Sequence, residues 1–256
     1  MPFFNALVSW AHNMTLELSP LELEALRLSL IVAIWCVVVC VPIAAVTAFV
    51  LARRDFPGKM LLDVLVHLPL VLPPVATGYI LLLALGRNGW IGFWLDHNFD
   101  FTFAFQWTGA VIASAVMSFP LAVRALRQAF ENVSPELERS AAALGASKVQ
   151  ILWHVTLPLC WPGFVSAAIL SFARSLGEFG ATITFVSNIP GETRTIPNAL
   201  YALLQTPGAD WAAFRLMLVA LALAFAALAL SEAITRMGRQ RPSARTADGA
   251  STTWHL

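Results

Sequence analysis

Charge is scarce in this 256-residue chain. Asp, Glu, Lys and Arg together make up 12% of the residues, whereas 58% are hydrophobic. A soluble globular domain carries about twice that share of charged residues. Water is therefore not the main solvent of this chain. The formal net charge of +1 and the absence of a basic stripe also give no indication of a nucleic-acid partner.

Motifs of enzymes and of metal sites are missing as well. No Gly-x-x-x-x-Gly-Lys-Ser/Thr loop is present to cradle a phosphate, so the chain is not expected to be an ATPase itself. The five histidines and three cysteines lack the spacing of metal ligands, so no metal site and no cofactor are expected. Residues 1–26 contain no Lys or Arg, and we therefore expect no cleavable signal peptide.

Long runs without charge dominate what is present. A helix needs roughly 20 apolar residues to cross a bilayer. Backbone groups cannot stay unpaired in lipid, and the runs lack the alternation of barrel strands, so helices are expected. The predicted fold is an all-α, polytopic membrane helix bundle with five transmembrane helices. Their expected ranges are 28–52, 64–86, 103–124, 161–186 and 212–234.

Basic residues lie mostly on one side of this predicted bundle. Of the 16 Lys and Arg residues, 11 follow the first, third or fifth span. Cytoplasmic segments retain such residues, so the N-terminus is expected outside and the C-terminus in the cytoplasm. Residues 1–26 would then form an external segment, 27–236 the transmembrane domain, and 237–256 a disordered cytoplasmic tail.

The segment between the third and fourth spans, residues 131–157, differs in character from the spans. Ser134 and Pro135 predict a helix start, because Ser is a favoured N-cap and Pro suits the first helical position. We expect this helix to continue through Ala141 to Leu144.

A glycine turn and a second helix are expected next. Gly145 is a typical residue for the C-terminal stop of a helix. A second helix should then run from Lys148 to Leu157, where Pro158 and Pro162 limit it. This hairpin is either a solvated link between two spans or a cytoplasmic surface that docks a partner.

The second span contains several helix breakers. Pro69, Pro73 and Pro74 precede Thr77 and Gly78, and such a segment must pack against protein or line water. Free backbone N–H groups near Thr77 and Gly78 could guide an anion. The alternative is simple packing around the prolines.

The fourth span carries two opposite charges. Arg174 and Glu178 are four residues apart, which predicts one helix face. Unpaired charge at membrane depth costs several kcal/mol, so the two residues form either a structural ion pair or a gate on a transport path.

The cytoplasmic segment resembles the signature loop of binding-protein-dependent ABC import permeases. That loop has Glu-Ala-Ala, three residues, Gly, nine residues, Ile, one residue and Leu-Pro. Gly145, Leu157 and Pro158 keep this spacing. The Glu-Ala-Ala positions hold Arg-Ser-Ala at 139–141, and Glu138 is displaced by one residue.

Three further strings resemble the molybdate permease branch of that family. They are residues 68–79 (LPLVLPPVATGY), 171–185 (SFARSLGEFGATITF) and 188–197 (NIPGETRTIP). The resemblance covers about residues 25–236. It implies the fold of a type I ABC importer permease and the import of molybdate, with sulfate and tungstate as alternative anions.

The same resemblance implies location and partners. The chain would lie in the inner membrane of a bacterium and form a homodimer with a second permease chain. Two copies of an ABC ATPase subunit would bind in the cytoplasm, and an external or periplasmic molybdate-binding protein would bind outside.

Residue roles are also expected from this resemblance. The ATPase-docking residues would be Ser134, Pro135, Glu138, Ala141, Gly145, Leu157 and Pro158. The hypothesis for the translocation path or gate names Thr77, Gly78, Arg174 and Glu178. Two other functions remain as alternatives. A membrane enzyme would need a cluster of acids, bases or metal ligands, and a passive anion channel would need no docking hairpin.

Overall fold

The computed structural model describes residues 18–239, and this part of the chain is helical without strands. The helices are α1 (Pro20–Arg53), α2 (Lys59–Val71), α3 (Pro74–Leu85), α4 (Trp90–Phe99), α5 (Trp107–Glu131), α6 (Pro135–Ala143), α7 (Lys148–Ile151), α8 (Leu157–Leu176), α9 (Gly180–Val186), α10 (Ile196–Leu204) and α11 (Asp210–Arg239). A π-helical segment, Leu152–Thr156, joins α7 to α8. Residues 1–17 and 240–256 lie outside the described part, and with them all but the first three residues of the predicted tail, 237–256.

Helices α1, α5 and α8 form the centre of the bundle. The buried face of α1 consists of small residues one turn apart, among them Cys36, Cys40, Ala44 and Ala48. Small side chains let helix backbones approach closely in a membrane, where no hydrophobic force drives helices together. Both cysteines are buried thiols in this packing, and Cys36 Sγ lies 3.3 Å from Ser118 Oγ of α5.

The first helix begins before the predicted span of 28–52. Ser19 caps α1, and Glu22 completes a capping box by accepting a hydrogen bond from the Ser19 N–H. Glu22 also pairs with Arg215 of α11, whose Nη2 lies 2.6 Å from Glu22 Oε2. This largely buried pair joins the first and last helices near their N-terminal ends.

Membrane-crossing segments agree in number with the prediction. In residues 18–239, four helical segments are long and apolar enough to span a bilayer: Pro20–Arg53, Trp107–Glu131, Lys148–Leu176 and Asp210–Ala229. Helices α2 and α3 make a fifth span if they are counted together. The protein is thus an all-α polytopic bundle.

The second span is broken more sharply than a kinked helix. Helices α2 and α3 meet at an angle of 114° across Leu72 and Pro73. With 13 and 12 residues, each is too short to cross a bilayer alone. Pro69 lies inside α2, so the break follows from the Pro73-Pro74 pair and not from every proline in the segment.

The fourth span differs from its predicted range of 161–186. It begins at Lys148, passes through Pro158 and Pro162, and ends at Leu176. Pro158 lacks an N–H, and its ring would crowd the carbonyl of His154 in a regular helix. The π-helical segment widens the backbone at that place, so the helix continues where we expected a stop.

Two short helices lie between the spans. Helix α4 lies between the second and third spans, and its aromatic side chains Trp90, Phe93 and Trp94 are exposed. Helix α10 lies between α9 and α11. Exposed tryptophans of this kind suit the membrane interface.

Candidate functional site

The hairpin between the third and fourth spans begins as its sequence predicts. Ser134 is the N-cap of α6, and its Oγ accepts a hydrogen bond of 3.2 Å from the Glu136 N–H. Pro135 occupies the first helical position. No residue of α6 is fully buried, although Glu138 and Ala141 are half-buried.

A left-handed glycine ends this helix. Gly145 has φ +88°, and its N–H donates to the Ala142 carbonyl over 3.0 Å. A Cβ at this position would meet nothing within 4 Å in the described part of the chain. The glycine is therefore required for its backbone conformation, because L-residues with a side chain rarely adopt such a φ.

Glu138 holds the hairpin to the bundle. Its carboxylate accepts two hydrogen bonds from the Arg53 guanidinium, of 3.1 and 3.0 Å. It also accepts one of 2.8 Å from the hydroxyl of Thr156, which is 2% exposed. One carboxylate thus joins α6 to the end of α1 and to the π-helical segment.

The remaining predicted docking residues, Leu157 and Pro158, lie where the hairpin joins α8. Leu157 starts α8 and packs against the central core of α1, α5 and α8. Pro158 is exposed in the first turn of that helix. The surface of the hairpin also carries exposed apolar side chains, namely Leu144, Val149 and Trp153. Exposed apolar groups of this size on a polar hairpin are typical of a binding surface.

The break in the second span lies earlier than predicted. Helix α3 begins at Pro74, and the Thr77 N–H donates to the Pro73 carbonyl over 3.1 Å. The expectation of free N–H groups at Thr77 and Gly78 is therefore wrong. Pro74 has a preset φ that suits the first helical position, so the helix starts there instead.

Gly78 allows a close contact between helices α3 and α9. A Cβ on Gly78 would lie 2.9 Å from the Cα of Ala181 in α9. Correspondingly, a Cβ on Gly180 would lie 2.6 Å from the Cβ of Pro74. The first turns of α3 and α9 therefore pack directly on each other. Thr77 is buried beside them, and its hydroxyl has no partner among the described residues.

Arg174 and Glu178 are not on one helix, contrary to the prediction. Helix α8 ends at Leu176, and Glu178 lies in the break before α9. The ion pair nevertheless forms, with 2.7 Å between Arg174 Nη1 and Glu178 Oε2. The second carboxylate oxygen accepts the Ala181 N–H over 2.8 Å. Glu178 thus bridges the end of α8 and the start of α9.

We predict that Glu138→Gln loosens the hairpin. The neutral amide cannot keep two charge-assisted hydrogen bonds with Arg53, so local opening of α6 should become easier. Hydrogen–deuterium exchange of amides 136–143 should accelerate at least about fivefold. Glu136→Gln is the matched control, because Glu136 lies on the same helix without an ion pair among the described residues. Equal exchange rates in the two variants would contradict the role of Glu138.

The ion pair between Arg174 and Glu178 predicts that the two single variants lose different amounts of stability. The Glu178 side chain is 1% exposed and that of Arg174 is 27% exposed. Arg174→Gln leaves a buried carboxylate without its cation and should cost on the order of 3 kcal/mol, whereas Glu178→Gln leaves a cation that reaches solvent. In thermal unfolding of the purified protein, Arg174→Gln should lower the midpoint more, and the double variant should recover most of the loss. A double variant less stable than Arg174→Gln would refute this assignment.

Comparisons with known proteins agree with this architecture. Residues 40–241 match the family described as "Binding-protein-dependent transport system inner membrane component". The chain is 54% identical over 220 residues to the "Molybdenum transport system permease protein ModB" of Escherichia coli K12, covering 86% of this chain and 96% of that protein. It is 50% identical over 229 residues to the protein of the same name from Haemophilus influenzae, covering 89% of this chain and all of that protein.

A solved structure extends the likeness to the fold. A bacterial alginate ABC transporter, solved in complex with a periplasmic protein that carries an alginate pentasaccharide, contains a chain that superposes with a TM-score of 0.67 at 21% identity. The match covers 85% of this chain and 81% of that chain. The fold is therefore that of a type I ABC importer permease, in a multi-pass inner-membrane protein. The chain belongs to the family of binding-protein-dependent transport system inner membrane components, as the resemblance of its segment 131–157 predicted.

Proposed function

We propose that this chain is the permease subunit of an ATP-driven importer that carries molybdate across the inner membrane. The observation that carries the proposal is the identity of 54% over 96% of a permease named for molybdenum transport. The hairpin with its exposed apolar residues supports a permease that receives its energy from outside the chain.

The proposed partners are those of the importer family. Two copies of an ABC ATPase subunit dock on the hairpin in the cytoplasm, and a molybdate-binding protein delivers the anion from the periplasm. A second copy of this chain completes the path as a homodimer. The N-terminus lies outside and the C-terminus inside, which places Gly145 and the predicted docking residues on the ATPase side.

Coupling follows the contacts of Glu138. A movement of α6 is transmitted through Glu138 to Arg53 at the end of α1 and to Thr156 before α8. Two charge-assisted hydrogen bonds and a third from a buried hydroxyl make this connection stiff. Closure of the ATPase dimer therefore tilts α1 and α8 together with the hairpin.

The broken helices form the proposed gate. Helix α8 ends beside the Arg174 and Glu178 pair, and α9 continues from there against α3. A tilt of α8 pulls on Glu178, which holds the first turn of α9 through the Ala181 N–H. Gly78 allows α3 to follow α9 at close contact. Arg174, Glu178, Thr77 and Gly78 are thus positioning residues of the gate, and none is required to bind the anion tightly.

Two other functions are tested by the same assay. An importer of sulfate or tungstate would differ in the anion and not in the machinery. A passive anion channel would move anion down its gradient without ATP. The docking hairpin favours the powered importer over the channel.

Uptake by the assembled transporter tests the function. Proteoliposomes that contain the chain, its ATPase subunits and the binding protein should accumulate labelled molybdate only when ATP is supplied. Molybdate should compete better than sulfate, because the binding protein selects the anion. Efficient uptake of sulfate with no uptake of molybdate would contradict the substrate, and ATP-independent flux would contradict the mechanism.

Substitutions of Gly145 should uncouple ATP hydrolysis from uptake. Valine is β-branched and is strained at φ +88°, whereas asparagine tolerates a left-handed conformation. Gly145→Val should lower the molybdate taken up per ATP hydrolysed at least about fivefold, since its strain is on the order of 2 kcal/mol. Gly145→Asn should stay within about twofold of the unmodified chain. Equal coupling ratios in the two variants would show that the turn conformation does not matter.

A further inference from the structure

A groove of about 550 Å³ opens between α5 and α8, next to the hairpin. Its charged and amide side chains all come from the last turns of α5 and its C-cap: Arg124, Gln128 and Asn132. Helix α8 contributes Ser166 among apolar residues. No Asp or Glu of the described chain lines the groove. The groove therefore offers N–H donors, and no carboxylate of the described residues lies opposite them.

Arg124, Gln128 and Asn132 form a row of hydrogen-bond donors. They are spaced four residues apart, so they share one helix face, with about 6 Å between successive steps. A guanidinium carries five N–H donors, and each amide carries two. In residues 18–239 none of the three side chains makes a hydrogen bond or an ion pair, and all three are exposed.

The neighbouring arginine of α5 provides a contrast. Arg127 pairs with Asp63 of α2 at 3.2 Å and with Glu131 at 2.8 Å. Its charge is therefore neutralised within the bundle. Arg124 lies one turn from it without a carboxylate partner in the described residues, so its charge is available to a ligand in the groove.

We propose that this groove is an oxyanion-binding site on the cytoplasmic side of the transport path. Arg124 contacts the anion with its planar N–H fork, which suits tetrahedral oxyanions, and the amides of Gln128 and Asn132 supply further donors. The site deepens the proposed function, on which its place in import rests. It holds the transported dianion weakly and in a hydrated state, because the groove is open to solvent.

Both walls of the groove continue into the hairpin. Asn132 lies two residues before Ser134, the cap of α6, and α8 directly follows Thr156, which binds Glu138. Between the walls, Gly163 of α8 lies against Ala129 of α5 so closely that no Cβ fits. Movement of the hairpin therefore changes the width of the groove around this contact, which links anion release to the ATPase cycle.

Cysteine chemistry at Ser166 tests the site without ATP or a binding protein. Ser166→Cys is nearly isosteric and adds a reactive thiol to the groove, whereas the native cysteines Cys36, Cys40 and Cys160 are buried. We compare labelling rates of an anionic and a cationic methanethiosulfonate in the full-length chain. Arg124→Gln should lower the anionic-to-cationic rate ratio at least about threefold, because one positive charge near the thiol is lost.

A variant that removes a different positive charge, outside the groove, is the matched control. Arg54→Gln removes an exposed charge at the end of α1, outside the groove, and should leave the ratio unchanged. In phosphate-free maltoside micelles, about 10 mM molybdate, a concentration suited to a weak site, should slow labelling of Ser166→Cys and should not do so with Arg124→Gln. No change of the ratio and no protection by molybdate would overturn the proposal.

A further arm of the experiment distinguishes a lipid phosphate from the transported anion. Protection that appears only after addition of an anionic phospholipid would identify a lipid phosphate in the groove and overturn its role in transport. Uptake assays then separate the site from the proposed function. If the unmodified transporter imports molybdate but Arg124→Gln imports it at the same rate, the groove proposal fails while the importer stands.

Discussion

A lipid bilayer offers no water to a broken helix, and this constraint shapes the centre of the protein. Backbone groups freed at Leu72 and Pro73, and at the end of α8, must be packed or bonded within the protein. The structure meets the requirement by placing the two interrupted segments together, since the first turn of α3 lies on the first turn of α9. Glu178 completes this arrangement by binding the Ala181 N–H.

The hairpin and the broken centre are connected through α8. Glu138 attaches the hairpin to the start of that helix through Thr156, and Glu178 attaches the end of it to α9. Helix α8 thus has a carboxylate contact near each of its ends, as the proposed coupling requires. Pro158 does not interrupt this helical segment, because the π-helical turns before it accommodate the proline. The groove beside Arg124 lies along the same helix.

Local chemistry could be predicted from the sequence, and long-range contacts could not. The cap at Ser134 and the turn at Gly145 follow from single residues and their neighbours, and the structure confirms them. The partners of Glu138 are 85 and 18 residues away, so no periodicity indicates them. The displaced glutamate looked like a departure from the family's loop.

An interruption of the spans by proline was predicted from the sequence, but the residues at which the helices break were not. Prolines alone do not decide where a helix stops, since Pro158 and Pro162 lie within a continuous helical segment while Pro73 marks a bend of 114°. Packing across the bundle decides between these outcomes. Gly78 and Gly180 illustrate this, because their role is visible only once α3 and α9 are placed side by side.

Sidedness of the hairpin is the claim on which the account depends, and cysteine accessibility measures it directly. Leu144 is 90% exposed at the tip of the hairpin, and Glu192 is exposed in the loop before α10. A membrane-impermeant thiol reagent should label Leu144→Cys in inside-out vesicles and Glu192→Cys in intact spheroplasts. Labelling of Leu144→Cys from the outside would contradict a permease driven by a cytoplasmic ATPase.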